Sequence, residues 1–215
     1  MDTRDVALTV LLDIETNQTF SNIALGNALR KNQFTDKVER AFLSRLVEGV
    51  TETKLRLDYV IDQYSKTKIK KCKPVIACLL RMGCYQILFM DSVPDSAICN
   101  EAVKLAGKRG FVNLKGFVNG VLRNISRNLD KINYPDEKDK VSYLSVKYSL
   151  PEWLVKQWLN VYDEETVKTI GSAFLEEKPL TVRFNEHKIK KEDLVGILKK
   201  EGVTVGEVPE IPCAL

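Results

Sequence analysis

The chain has 215 residues, of which 44% are hydrophobic and 29% are charged, and its formal net charge is +4. This balance is typical of a globular protein and excludes a disordered chain, and no apolar run reaches the ~20 residues needed to cross a membrane. The N-terminal segment places acidic residues on both sides of a short apolar stretch, unlike a signal peptide. We therefore expect a cytoplasmic protein without a membrane anchor.

Residues 1–132 show the apolar spacing of helices joined by short connections, and no strand pattern interrupts them. Asp36 and Glu39 have the Asp-x-x-Glu form of a helix start, and Pro74 suits the first turn of a helix. The predicted fold class is mainly α, with an all-helical bundle of about seven helices in this region. The helices are predicted near residues 6–14, 23–29, 36–50, 54–64, 74–90, 97–108 and 114–132.

The helix that starts at Pro74 is apolar almost all round, so it should run through the middle of the bundle. Arg81 is embedded in this helix, and a buried arginine needs an opposite charge beside it. Glu101, which borders the apolar stripe of the next helix, is the predicted partner. We interpret this ion pair as structural rather than catalytic.

Basic residues are concentrated in two stretches. Residues 66–73 contain five lysines and no acid, and Lys104–Lys131 contains seven basic residues opposed only by Asp130. A basic surface on an otherwise acidic chain indicates a polyanionic partner, of which nucleic acid is the first candidate. For residues 66–73 alone, a solvated loop and an RNA contact both remain open.

The segment 114–132 predicts an amphipathic helix whose exposed side carries basic residues and two glycines. Glycine inside a helix costs about 1 kcal/mol relative to alanine, and Gly116 and Gly120 lie opposite the apolar stripe, where core packing cannot explain them. We predict that they leave bare backbone where a phosphate or a base can approach. The alternative is that Gly116 is a helix cap and Gly120 a tolerated defect. The stripe consists of Leu114, Val118, Val121, Leu122, Ile125, Leu129 and Ile132, and the basic side of Lys115, Asn119, Arg123 and Arg127.

Residues 133–143 form a polar, proline-containing stretch that is typical of a linker. Residues 144–215 then predict a pair of short helices and a β-α-β segment, with strands at 180–185 and 203–208 and a helix that ends at Gly202. A lone β-α-β unit has too few strands to be stable alone. We therefore expect this segment to be an incomplete piece of a larger domain that continues beyond Leu215.

The five cysteines and the one histidine indicate neither a metal site nor a nucleophile. The cysteines form no Cys-x-x-Cys pair, which favours buried thiols over a disulfide framework or a zinc site. His187 has no second histidine nearby, as a histidine-rich metal site or a Ser-His-Asp triad would require. We predict no metal ligand and no catalytic residue in this segment.

Two stretches, LLRMGCYQILFMDSVPDSAICNEAVKLA (79–106) and KGFVNGVLRNISR (115–127), resemble the NusB family of transcription antitermination factors. The resemblance covers much of residues 1–132 and implies an all-helical RNA-binding domain. It also implies that Phe117, Asn119 and Gly120 lie close to RNA. With the basic residues, the predicted RNA-binding set is Lys108, Arg109, Lys115, Phe117, Asn119, Gly120, Arg123 and Arg127.

The continuation resembles the RsmB family, also called Sun, in SLPEWLVKQWLNVYDEE (149–165) and KPLTVRFN (178–185). Members of that family are S-adenosylmethionine-dependent cytosine-C5 methyltransferases of small-subunit ribosomal RNA, with a NusB-like domain, a linker region and a Rossmann-like catalytic domain. The resemblance implies domains at 1–132 and 144–215 that precede a missing catalytic domain. Cys213 lies before that domain, so it is not the expected nucleophile, and we expect no cofactor on this segment.

The function that follows is recognition of small-subunit ribosomal RNA for the missing catalytic domain, with Phe117 stacking on an unpaired base. Arg183 and Asn185 are predicted either to contact RNA or to brace the catalytic domain, and both interpretations stay open. One alternative is a stand-alone NusB-type antitermination factor that acts through RNA and a protein partner. Another is a protein-interaction scaffold without RNA affinity.

Overall fold

The computed structural model describes residues 2–33, 35–176, 180–206, 208, 211 and 213–215, and these are mainly helical, which confirms the predicted fold class. The chain forms two compact units, residues 1–175 and 176–215. Among the described residues, no helix is long and apolar enough to span a bilayer. The α-helices in chain order are α1 (Thr3–Asn17), α2 (Ser21–Lys31), α3 (Lys37–Glu52), α4 (Lys54–Tyr64), α5 (Pro74–Phe89), α6 (Asp95–Lys108), α7 (Lys115–Arg127), α8 (Lys140–Tyr148), α9 (Glu152–Leu159), α10 (Glu164–Leu175) and α11 (Lys191–Lys200).

Helix α5 lies at the centre of the first unit, as its apolar sequence predicts. It packs against α1, α3, α4, α6 and α7, and every residue from Ile76 to Ile87 is buried. A helix that is apolar on all sides is stable only when neighbours cover all of it. The helices around α5 are therefore positioned by their packing against its surface.

The predicted ion pair between Arg81 and Glu101 is wrong. The Arg81 side chain donates from Nε to Asp58 Oδ1 (2.6 Å) and from Nη2 to Asp58 Oδ2 (2.9 Å), and its Nη1 lies 3.2 Å from Glu15 Oε2. Glu101 instead pairs with Lys104 on its own helix, at 2.7 Å. Because α5 is apolar all round, its sequence does not indicate which neighbour Arg81 faces, and it faces α1 and α4 rather than α6.

The buried arginine belongs to a larger ionic cluster. Glu15 Oε2 also lies 2.6 Å from Lys54 Nζ. Burial raises the pKa of Glu15, but the hydrogen bonds and charges of Lys54 and Arg81 outweigh burial and bring the pKa below its usual range. Burial likewise opposes the charge of Arg81, and its bonds to Asp58 outweigh burial and raise its pKa. These groups are therefore charged at neutral pH.

Helices α8, α9 and α10 enclose a second, smaller core of Leu144, Tyr148, Val155 and Val167. Helix α8 begins at Lys140, inside the predicted linker, because the Asp139 side chain accepts a hydrogen bond from Ser142 N and caps the helix. Ser149 ends α8 and accepts a hydrogen bond at Oγ from Leu55 N (3.0 Å), which joins α8 to α4. The predicted boundary at residues 133–143 stays a prediction.

The second unit, residues 176–215, does not form the predicted β-α-β arrangement in its described residues. Arg183 forms an antiparallel bridge with Ala214, and Val182 and Leu215 exchange hydrogen bonds of 3.0 Å. The predicted strand at 203–208 is absent from 203–206 and 208, and its residue 207 lies outside the described residues. Sequence alternation identified a strand-forming segment near Arg183 but not its partner. Gly202 ends α11 with a φ of 81°, as predicted.

Candidate nucleic-acid interface

Helix α7 is held in place by its apolar side. Its side chains Val118, Val121, Leu122 and Ile125 are buried, and α7 packs against α4, α5 and α6. Gly83 on α5 makes this approach possible, since a Cβ at that position would lie 2.6 Å from Leu122 Cδ1. The opposite side of α7 is therefore fixed toward solvent.

The two glycines of α7 lie on that solvent side. Gly116 and Gly120 are exposed, and no neighbouring atom lies within 4 Å of the position that a Cβ would take on either residue. Leu114 is the N-cap of α7, so Gly116 lies within the first turn and is not a cap. Neither glycine serves packing within the chain, and both leave the helix backbone accessible.

Lys115, Arg123 and Arg127 are the cations beside these glycines. Arg123 is exposed and donates from Nε to Asn119 Oδ1 at 3.0 Å, and Arg127 is exposed as well. Within the part of the chain that the structure describes, no carboxylate lies at ion-pair distance from Lys115, Arg123 or Arg127. The Lys115 side chain extends over Gly107 of α6. An accessible helix backbone flanked by exposed guanidinium groups is suited to bind phosphate.

Lys108 and Arg109, also predicted to contact RNA, form ion pairs with α1. Lys108 Nζ lies 2.7 Å from Asp5 Oδ2, and Arg109 Nη2 donates to Asp5 Oδ1 and to Thr9 Oγ1, both at 2.6 Å. Burial raises the pKa of Asp5, but the bonds from Lys108 and Arg109 outweigh burial and bring the pKa below its usual range. The two cations thus share one carboxylate of α1, which lies more than 100 residues earlier in the sequence, where patterning could not reveal it.

The predicted stacking residue, Phe117, is half-buried and packs against the main core. Asn119 is half-buried too, with its side-chain oxygen bonded to Arg123. Only part of the Phe117 ring is therefore accessible to a base. The structure brings Asn119 and Arg123 together, whereas the Lys115 side chain extends toward α6.

The lysine-rich stretch 66–73 is anchored near the end of α7. Its lysines are exposed, whereas Ile69 is buried and donates from its backbone N to Asp62 Oδ1 at 2.7 Å. The stretch follows α4, whose last residue Tyr64 donates from Oη to the carbonyl of Asn128, one residue beyond α7 (3.1 Å). The end of α4, which directly precedes the lysine-rich stretch, therefore contacts the residue that follows α7.

In the second unit, Arg183 and Asn185 are exposed and line a cavity of about 330 Å³ together with His187 and Cys213. The Asn185 side chain accepts a hydrogen bond from His187 N at 3.0 Å, which stabilises a turn. This unit does not distinguish an RNA contact from a bracing role for these two residues. The described residues contain no cluster of metal-binding side chains.

Two family models match the chain. The NusB family model matches residues 1–127, and a model described as the ferredoxin-like domain of RsmF/B-like methyltransferases matches residues 150–215. The chain is 36% identical over 202 residues to the probable ribosomal RNA small subunit methyltransferase B of Bacillus subtilis, covering 94% of this chain and 44% of the relative. It is 30% identical over 124 residues to the transcription antitermination protein NusB of Clostridium novyi, covering 57% and 93%. Both resemblances found in the sequence are confirmed.

Solved structures show the same fold. The crystal structure of PH0851 superposes with a TM-score of 0.68 at 17% identity, over 100% of this chain and 48% of that one. A crystal structure of NusB and NusE in complex with double-stranded RNA superposes with a TM-score of 0.54 at 22% identity, over 58% and 93%. The chain spans about half the length of the methyltransferases that it matches.

Proposed function

The chain belongs to the NusB family in residues 1–127, and from this premise we propose that it is the RNA-binding N-terminal region of a methyltransferase that modifies cytosine C5 in small-subunit ribosomal RNA. In this proposal the segment captures the RNA in the cytoplasm and presents it to a catalytic domain of the full-length protein. That domain binds S-adenosylmethionine and carries out methyl transfer. The segment itself supplies the affinity for RNA and positions the RNA for that domain.

The solvent side of α7 is the observation that carries the proposal. Gly120 leaves the backbone open, and the exposed Arg123 and Arg127 lie along the same side. Lysine and arginine contacts to phosphates release counterions, so the affinity for RNA is expected to fall steeply with salt. The lysines of residues 66–73 extend the cationic surface at the end of α7.

A second candidate is a stand-alone antitermination factor of the NusB type. It is favoured by the Clostridium novyi relative, whose length is covered to 93% by the matching part of this chain. The mass of the native product separates the two candidates. A product near 24.4 kDa favours the antitermination factor, and one about twice that mass favours the methyltransferase. A scaffold without RNA affinity would show no binding in the titration that follows.

The proposal is tested by titrating the protein with fragments of small-subunit ribosomal RNA, followed by fluorescence anisotropy at several salt concentrations. Arg123→Glu is expected to weaken binding about tenfold and to reduce the slope of log K against log salt by about 1. Lys156→Glu is the matched control, because Lys156 is an exposed lysine of α9 that pairs with Glu152 on its own helix. Equal affinities for Arg123→Glu and the wild type would contradict the proposed interface.

A further inference from the structure

A cationic cavity separate from the α7 surface lies where α4, the segment after α7 and α8 meet. It encloses about 240 Å³ and is lined by Arg56, Tyr134, Pro135, Tyr143 and Lys147. No carboxylate is among these residues, so the cavity combines two positive charges with two tyrosine rings. Cavities that bind whole small molecules usually enclose ~300–1,000 Å³, which suits this one to part of a larger ligand.

Arg56 supplies the first positive charge at this cavity. Its guanidinium carbon lies 5.1 Å from the ring centre of Phe89 and 5.3 Å from that of Tyr134, and Nη2 donates to Tyr134 Oη at 3.3 Å. Nε is buried and has no hydrogen-bond partner among the described residues. This nitrogen is covered by its neighbours, so Arg56 offers a ligand in the cavity its positive charge rather than this donor.

Lys147 supplies the second charge. Its Nζ donates to Tyr143 Oη at 2.8 Å and lies 5.0 Å from the centre of the Tyr143 ring. The hydrogen bond to Tyr143 raises the pKa of Lys147, so the ammonium group is charged at neutral pH. Tyr134 is 36% exposed, which leaves ring surface open to a flat partner.

We propose that this cavity holds one unpaired nucleotide of an RNA strand, with its phosphate on Arg56 and Lys147 and its base against the tyrosine rings. Arginine binds phosphate oxygens with two parallel donors, and aromatic side chains stack on unpaired bases of any sequence. The inference rests on the RNA binding proposed above and adds a second subsite to it.

The cavity is connected to α7 along one side of α4. Asn133 donates from its backbone N to Gln63 Oε1 at 3.0 Å, so the segment after α7 runs beside α4 toward Tyr134. Tyr64 contacts the end of α7. Arg56 lies eight residues before Tyr64 on α4, a distance of about 12 Å along the helix. A strand bound on α7 therefore has a short path to the cavity.

The test is an anisotropy titration with a single-stranded oligoribonucleotide that the wild type binds. Tyr134→Ala is expected to weaken binding about tenfold through the loss of stacking, and Lys147→Gln several-fold through the loss of a phosphate contact. Tyr134→Phe keeps the ring and is expected to lose less than Tyr134→Ala, which separates stacking from a disturbed fold. Lys156→Gln is the control for a lysine outside the cavity.

The outcomes distinguish this inference from the proposed function. If the wild type binds RNA and Arg123→Glu weakens it, while Tyr134→Ala and Lys147→Gln stay within twofold, the cavity is not a subsite and the α7 interface stands. If the wild type binds no RNA, both proposals fail. If cytidine 5′-monophosphate binds as tightly as the oligoribonucleotide and displaces it, the ligand is a free nucleotide and the assignment to a strand is wrong.

Discussion

Helices α5 and α7 both carry arginine and glycine, and they use these residues in opposite ways. In α5, Arg81 is held by Asp58 and Glu15, and the space beside Gly83 is filled by Leu122. In α7, a Cβ at Gly120 would meet no atom of a neighbouring described residue within 4 Å, and Arg123 is exposed to solvent. The comparison shows that the neighbouring surface, not the residue type, decides whether such a residue is packed or exposed.

The largest effect that tests this comparison is expected at the ionic cluster of α5. Asp58→Ala leaves Arg81 buried with only Glu15 beside it, and breaking a buried pair costs about 3–5 kcal/mol. We expect a loss of free energy of unfolding of about 3 kcal/mol in a denaturant titration.

Glu101→Ala is the matched control, because the Glu101–Lys104 pair is exposed and such pairs contribute at most about 1 kcal/mol. Similar losses in the two variants would contradict the assignment of Asp58 as the partner of Arg81.

Replacing one glycine in each helix by alanine is expected to give the next largest effect on stability. The sign of the effect differs between α5 and α7. Gly83→Ala places a Cβ 2.6 Å from Leu122 Cδ1, and overpacking of this kind costs about 1–3 kcal/mol. Gly120→Ala meets no atom and is expected to stabilise the helix by about 0.5–1 kcal/mol. Thermal unfolding of both variants is the measurement, and a destabilised Gly120→Ala would show that its surface is not open.

A smaller effect on stability is expected when the pH is lowered. Because the folded state holds the pKa of Glu15 below its ordinary value of 4.5, its contribution to stability is present above that value. It is lost as the pH falls through the folded pKa. Glu15→Gln should therefore be less stable than the wild type at pH 7, and the difference should shrink as the pH falls below 4.5. A difference that stays constant down to pH 3 would contradict this account.

Periodicity predicted the helices around α5 because each buries a defined apolar side in the same core. The stripe of α7 is the clearest case, since Val118, Val121, Leu122 and Ile125 are all buried. The open positions of Gly116 and Gly120 followed from the same pattern, since they lie opposite the stripe.

Partners across the fold could not be predicted in this way. Arg109 pairs with Asp5, which lies 104 residues earlier, and Arg56 and Tyr134 meet only because the segment after α7 returns along α4. The pairing of Arg183 with Ala214 is another such contact. Local spacing carries no information on contacts of this kind.

The central claim, that the solvent side of α7 is kept open for RNA, is tested most directly by Gly120→Gln. Glutamine favours helix and adds bulk without charge, and Gly26→Gln on α2 is the matched control, because Gly26 also has no atom within 4 Å of a Cβ. We expect Gly120→Gln to keep its stability and to bind ribosomal RNA about tenfold more weakly in an anisotropy titration, with Gly26→Gln within twofold of the wild type. A Gly120→Gln variant that binds RNA as tightly as the wild type would contradict the claim.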